Sequence, residues 1–172
     1  MSLVDVACVG NASGRKQGWR ANFASFLMGA IRIGETYVDN MLDVVRAVEA
    51  LPAGTLVGGL FLIDHGSDMT CMVGADDIGG NTLNAVPLYG PLLRRLRARM
   101  GGESIIHMMQ CEAGKHESML KALAAFTGAH IYGGTGNHST VYNYNHGVYV
   151  CATPSGGIRR DVRRPRAWGF GG

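Results

Sequence analysis

Two apolar runs, Leu56–Ile63 and Ser104–Gln110, dominate the hydrophobic pattern, and neither alternates with polar residues. A strand covered on both faces reads this way. Leu3–Val9 is a third β-branched run and ends at Gly10-Asn11. Between these runs the period changes. Trp19, Phe23, Phe26, Leu27 and Ala30 recur at helical spacing and predict a helix over Gly18–Gly29. Ile31, Ile33 and Val38 belong to a short, weak strand. Met41, Leu42, Val44, Val45, Val48 and Leu51 predict a helix capped by Asp39 or Asn40 and stopped by Pro52. Pro87–Met100 is a helix whose outer face carries Arg94, Arg95, Arg97 and Arg99. Lys115–Thr127 is a helix stopped by Gly128. Ala129–Gly133 and Gly147–Ala152 are short strands. Ser67–Ala85 is a glycine-rich loop, and Gly134–Asn145 is polar and turn-rich.

Strands alternating with helices predict an α/β fold: a three-layer α/β/α sandwich around a mostly parallel sheet of about six strands. The last strand follows its neighbour with no helix between them, so it is expected to pair antiparallel. Residues 1–155 form one domain in this reading. Residues 156–172 hold Arg159, Arg160, Arg163, Arg164 and Arg166 against the single acid Asp161, and read as a basic, mobile tail. The tail carries a net +4 of a total of +3, so the rest of the chain is close to neutral. Such a tail can touch nucleic acid, acidic lipid or an acidic partner, with a solvated terminus as the default.

Composition narrows the class. The chain has 172 residues, 47% hydrophobic and 17% charged, which is globular and long enough for a real core. Cys8, Cys71, Cys111 and Cys151 are widely spaced with no zinc-knuckle pattern, and read as reduced thiols. Asp5 interrupts the apolar start, no basic stretch precedes it, and no apolar run approaches ~18 residues. The expectation is a cytoplasmic protein that spans no membrane.

Chemistry enters where the two strongest runs stop. The first ends on His65-Gly66 and the second on Cys111. If the runs are neighbouring parallel strands, both residues leave the sheet at one edge, where ligands bind in such folds. A thiol needs a base to become the nucleophilic thiolate, and an imidazole is suited to that. The N–H groups of Gly66 and Cys111 are candidate donors to an oxyanion. The helix beginning near Lys115 would bring a positive dipole end close to Cys111, with Gly114 making the turn. Set against this, a lone cysteine at a strand end is usually core, and a lone histidine before glycine is usually a turn residue. His138, His146 and Cys111 are a weaker candidate metal set, and no metal or other cofactor is expected. GNASGRK after the first strand lacks Walker spacing.

The stretches LFLIDHGS around His65 and IIHMMQCEAG around Cys111 resemble the caspase-like superfamily of cysteine peptidases. In that family one hydrophobic strand ends in His-Gly and a second, about fifty residues later, ends at the nucleophilic Cys. Gln110-Cys111-Glu112-Ala113-Gly114 is similar to the caspase Gln-Ala-Cys-x-Gly but displaced by one residue, so the caspase subfamily signature itself is not met. The resemblance implies a cysteine endopeptidase acting on proteins or peptides. Cys111 would be nucleophile and His65 general base and acid, with Gly66 and the Cys111 backbone as oxyanion hole. It places Arg15, Asp64, Gln110 and Glu112 among the substrate-binding residues. Arg15 favours an acidic residue before the cut, whereas Asp64 and Glu112 favour a basic one. Residues 132–144 would form another pocket wall. Only one helix joins the strand of Cys111 to the next, so an uncleaved single chain without a prodomain is expected. The rival readings are a non-catalytic caspase-fold binding module and a flavodoxin-like binder of nucleotide or phosphate.

Overall fold

The computed structural model describes residues 2–10, 35–79, 85–139 and 144–165. The helix expected over Gly18–Gly29, the loop holding Arg15 and the residues after Pro165 lie outside them. The strong apolar runs form the strands β1 (Ser2–Gly10), β3 (Thr55–Ile63) and β6 (Met100–Met109). With β2 (Glu35–Val38), β7 (His130–Gly134), β10 (Tyr149–Ala152) and β11 (Ile158–Val162) they make a seven-stranded sheet. Its order is β2-β1-β3-β6-β7-β10-β11. The pairs from β2 to β7 are all parallel, and β10 turns antiparallel on β7 as expected of a strand reached without a crossover helix. Two small hairpins, β4 (Met72–Val73) with β5 (Asp76–Asp77) and β8 (His138–Ser139) with β9 (Tyr144–Asn145), replace the expected loops.

β11 is a correction to the expected tail. Ile158–Val162 pairs antiparallel with β10 as the sheet's edge strand, and Arg160 forms a bidentate pair with Glu117 at 2.6 and 2.8 Å. An exposed ion pair adds little by itself, so the backbone ladder is the main hold on this strand.

The helices α1 (Met41–Glu49), α2 (Ala85–Arg97) and α3 (Glu117–Thr127) pack in that order on one face of the sheet. Val44, Val45 and Val48 of α1, Leu93 and Leu96 of α2, and Leu120 and Leu123 of α3 bury against Val6, Leu60, Leu62, Ile106 and Met108. The opposite face is buried as well, through Ala7, Val9, Phe61, Ile63 and Met109. That is why the central strands carry no polar alternation. The arrangement is a mixed α/β fold compatible with three layers. None of its described helices is long and apolar enough to cross a membrane.

Local chemistry sets the helix ends. Asn40 Oδ1 accepts from the Asp43 N–H at 3.1 Å, the N-cap expected from sequence, and Asp76 accepts from the Met41 N–H at 2.8 Å. Gly128 adopts φ 73° and ends α3, its N–H donating to Ala124. Arg99, expected on a solvated helix face, lies beyond α2. Its guanidinium donates to the carbonyls of Glu49, Leu51, Pro52 and Thr55 at 3.0–3.3 Å. It therefore satisfies the carbonyl end of α1 and the turn into β3. Arg99→Ala is expected to lower stability by about 1–3 kcal/mol, read as a shifted denaturation midpoint. Arg94→Ala, on the same segment, should change it far less.

Candidate active site

The β3–β6 register runs to Ile63 opposite Met109, so the two strands finish level at the carboxyl edge. One step on, Asp64 and His65 leave β3 while Gln110 and Cys111 leave β6. His65 is exposed and Cys111 is partly buried. Gly66 lies against the second turn: a Cβ there would overlap the Cys111 carbonyl oxygen and stand 3.1 Å from Gln110 Cβ. Only glycine allows that approach. The expected pair is thus brought to one rim with its flanking backbones in contact.

Gly66 also bridges Cys71 in an antiparallel turn. The bridge bonds are Met72 N–H to the His65 carbonyl at 3.0 Å and Ser67 N–H to the Thr70 carbonyl at 2.9 Å. In that pattern the Gly66 N–H points away from Cys71 and its segment. Asp64 holds the start of the loop. Its carboxylate accepts from the His65 N–H and the Gly74 N–H, each at 2.7 Å, and it fills the space over Gly10 where a Cβ would otherwise sit.

The sulfur of Cys111 is met from its other side by β8. The His138 N–H donates to Cys111 Sγ at 3.2 Å. The pattern of 132–144 predicts a wall of the site but not this atom, because a backbone donor leaves no trace in residue type. The hairpin is held by Asn145, whose Oδ1 accepts from the Gly136 and Gly147 N–H groups and whose Nδ2 donates to the Gly136 carbonyl. Gly136 in turn accepts from the Glu112 N–H at 2.8 Å.

Several expected details change. Glu112, not Gly114, makes the turn out of β6, with φ 56°. Gly114 is needed for packing, since a Cβ on it would stand 2.6 Å from the Gly133 carbonyl oxygen. A single 3₁₀ turn, Ala113–Lys115, precedes α3, which begins at Glu117. A helix dipole fades within a turn, so α3 is too far along the chain to act on Cys111 as expected. Gln110 is fully buried and is no substrate contact. Its Nε2 donates to the Met72 carbonyl and its Oε1 accepts from Cys71 Sγ, both at 2.5 Å. Glu112 pairs with Lys115, which with the N–H of Asp68 holds its carboxyl below the usual range. Arg15 lies outside the described residues.

Burial separates the four thiols. It pushes Cys8 up to about 12, and raises Cys71 and Cys151 as well. His138 is shifted the other way, to about 4, by burial first and then by Arg164 and His146. Its ring is therefore neutral at pH 7, and what it offers the sulfur is the backbone N–H. Among the described residues no group of three or more His, Cys, Asp and Glu is arranged to hold a metal, so His138, His146 and Cys111 do not make such a set.

The depressed His138 has a consequence for stability. Between pH 6.5 and about 4 the unfolded chain protonates this residue while the folded chain does not. The unfolded state then binds more protons, so its contribution destabilises progressively as pH falls through that window. His138→Gln is expected to flatten the stability-versus-pH curve there by an amount on the order of 2 kcal/mol, measured by urea denaturation at pH 4.5 and 7. An unchanged slope would show that the ring is not buried uncharged.

Comparison with protein-family models, with curated proteins and with solved structures finds no match to this chain.

Proposed function

We propose that the protein is a caspase-like cysteine endopeptidase using a His65/Cys111 dyad. The observation that carries this reading is the contact of Gly66 with the Cys111 backbone at the level ends of two adjacent parallel strands. The parallel sheet with an antiparallel end also accords with the family the motifs resemble. Cys111 Sγ attacks the scissile carbonyl after His65 takes its proton. The N–H groups of Gly66 and Cys111 receive the oxyanion. The imidazolium then protonates the leaving amine, and a water activated by His65 hydrolyses the thioester. The His138 N–H donates to the sulfur at 3.2 Å and helps to hold it at the rim.

The flavodoxin-like alternative has one point in its favour, the strand order 2-1-3-4-5 over the parallel part of the sheet. In that fold the ligand sits at the β1/β3 switch point. Here the Asp64 carboxylate covers Gly10 at that point, and a carboxylate repels phosphate. Substrate choice turns on the same acids. Glu112 is ion-paired with Lys115, whereas Asp64 is held by two neutral N–H groups and keeps its charge beside the pair. Cleavage of a peptide library, profiled at the residue before the cut, tests activity and specificity together.

The dyad itself is tested by alkylation. Cys8, Cys71 and Cys151 are buried, so faster labelling of Cys111 alone reflects access. The informative quantity is the pH midpoint of Cys111 alkylation. It is expected to move in His65→Ala, where the imidazole that would share the proton is gone. An identical midpoint in both proteins would refute a shared proton.

A further inference from the structure

Three side-chain links tie the His65 loop to the Cys111 turn. Gln110 reaches Met72 and Cys71, the Glu112 carboxylate takes the Asp68 N–H, and His116 Nε2 meets the Ser67 carbonyl at 2.7 Å. The first is deep in the fold and the second is exposed. The third is partly buried and falls two residues from His65 and five from Cys111.

A carbonyl can only accept, so Nε2 carries the hydrogen and donates it. That bond persists whether or not the ring is protonated, because Nε2 keeps its hydrogen in both states. His116 occupies the N-cap position of α3, yet its side chain makes no capping bond to the helix. Its carbonyl accepts from Leu120, which is a backbone contribution that any residue supplies. Nε2 instead reaches across to the Ser67 carbonyl on the neighbouring loop. Within the loop, Ser67 Oγ accepts from the Met69 and Thr70 N–H groups. Of the three links, the His116 bond acts at Ser67, two residues from His65, and so bears on where that turn sits relative to Cys111.

We propose that His116 is a positioning residue for the His65/Cys111 pair, holding the His65–Ser67 turn at a fixed distance from Cys111 through the Ser67 carbonyl. The inference rests on the dyad reading above. His116 touches neither substrate nor sulfur in this role; it acts through the loop.

The test compares wild type, His65→Ala, His116→Ala and His116→Gln. Glutamine keeps a donor able to reach the Ser67 carbonyl, and alanine does not. Two quantities are read: the pH midpoint of Cys111 alkylation by iodoacetamide, and kcat and KM on a peptide taken from the library. The other ionisable groups around the pair, Asp64, Asp68, Glu112 and Lys115 on the two turns and His138 and His146 on the facing hairpin, are the same in every His116 variant. His116→Ala should move the midpoint in the direction of His65→Ala and lower kcat by ~10- to 100-fold with little change in KM. His116→Gln should recover most of both. If His65→Ala shifts the midpoint and His116→Ala does not, positioning by His116 is refuted and the dyad stands. If His65→Ala shifts nothing, the dyad falls and the inference with it. Equal losses in His116→Ala and His116→Gln would assign the imidazole a packing role instead.

Discussion

Cys111→Ala is expected to lower kcat for peptide cleavage by roughly ten-thousand-fold or more while the protein folds normally. Removing a nucleophile from a constellation that acts as a unit costs nearly the whole covalent route, and what remains is binding and oxyanion stabilisation. The fold should tolerate the change. Cys111 is only partly buried, it follows β6 and is not part of that strand, and among the described residues its sulfur is engaged only with the His138 backbone, accepting from the N–H at 3.2 Å and donating to the carbonyl at 4.0 Å. The loss should appear in kcat with KM nearly unchanged, because the sulfur contributes to the transition state and little to ground-state binding. Single-turnover cleavage of the library-derived peptide, with far-ultraviolet circular dichroism as the folding control, measures both. Retention of wild-type kcat by a folded Cys111→Ala protein would remove Cys111 as nucleophile.

Gly66→Ala has the second largest expected effect, and it acts on fold and site at once. The added Cβ would overlap the Cys111 carbonyl oxygen and crowd Gln110 Cβ at 3.1 Å. Neither obstacle is the flexible end of a side chain. One is backbone at the end of β6, and the other belongs to a buried side chain fixed by Met72 and Cys71. The two turns must therefore separate. Overpacking of this kind costs about 1–3 kcal/mol, and a lower denaturation midpoint with an unchanged slope would show it. The same separation should move the alkylation midpoint of Cys111 in the direction expected of His65→Ala. Gly102→Ala is the matched control, because a Cβ there meets nothing within 4 Å. A Gly66→Ala protein as stable as that control would mean the two turns are not in contact.

The legible part of the molecule was the part written in periodicity. Unbroken apolar runs marked β3 and β6, helical spacing with Asn40 and Gly128 marked α1 and α3, and a missing crossover helix marked the antiparallel end. The site was legible only as two strand ends. Gln110 was a substrate-contact candidate through the family resemblance, yet it is fully buried with both ends of its amide engaged by Met72 and Cys71. Gly114 looked like the turn because glycine usually is, yet the left-handed residue is Glu112. Arg159–Arg160 looked like a tail because charge usually means solvent. An edge strand exposes its side chains just as a tail does, and only its backbone is bound.

From sequence alone come the α/β alternation, the burial of the central strands on both faces and the presence of a histidine and a cysteine at strand ends. These follow from local spacing and from the demand that apolar residues leave water. Tertiary structure alone decided that β3 and β6 are neighbours in level register and that Gly66 rests on Cys111. It alone decided that the His138 N–H faces the sulfur and that His116 reaches Ser67. Those relations are set by the packing of distant segments, and the backbone groups that mediate them are the same in every residue.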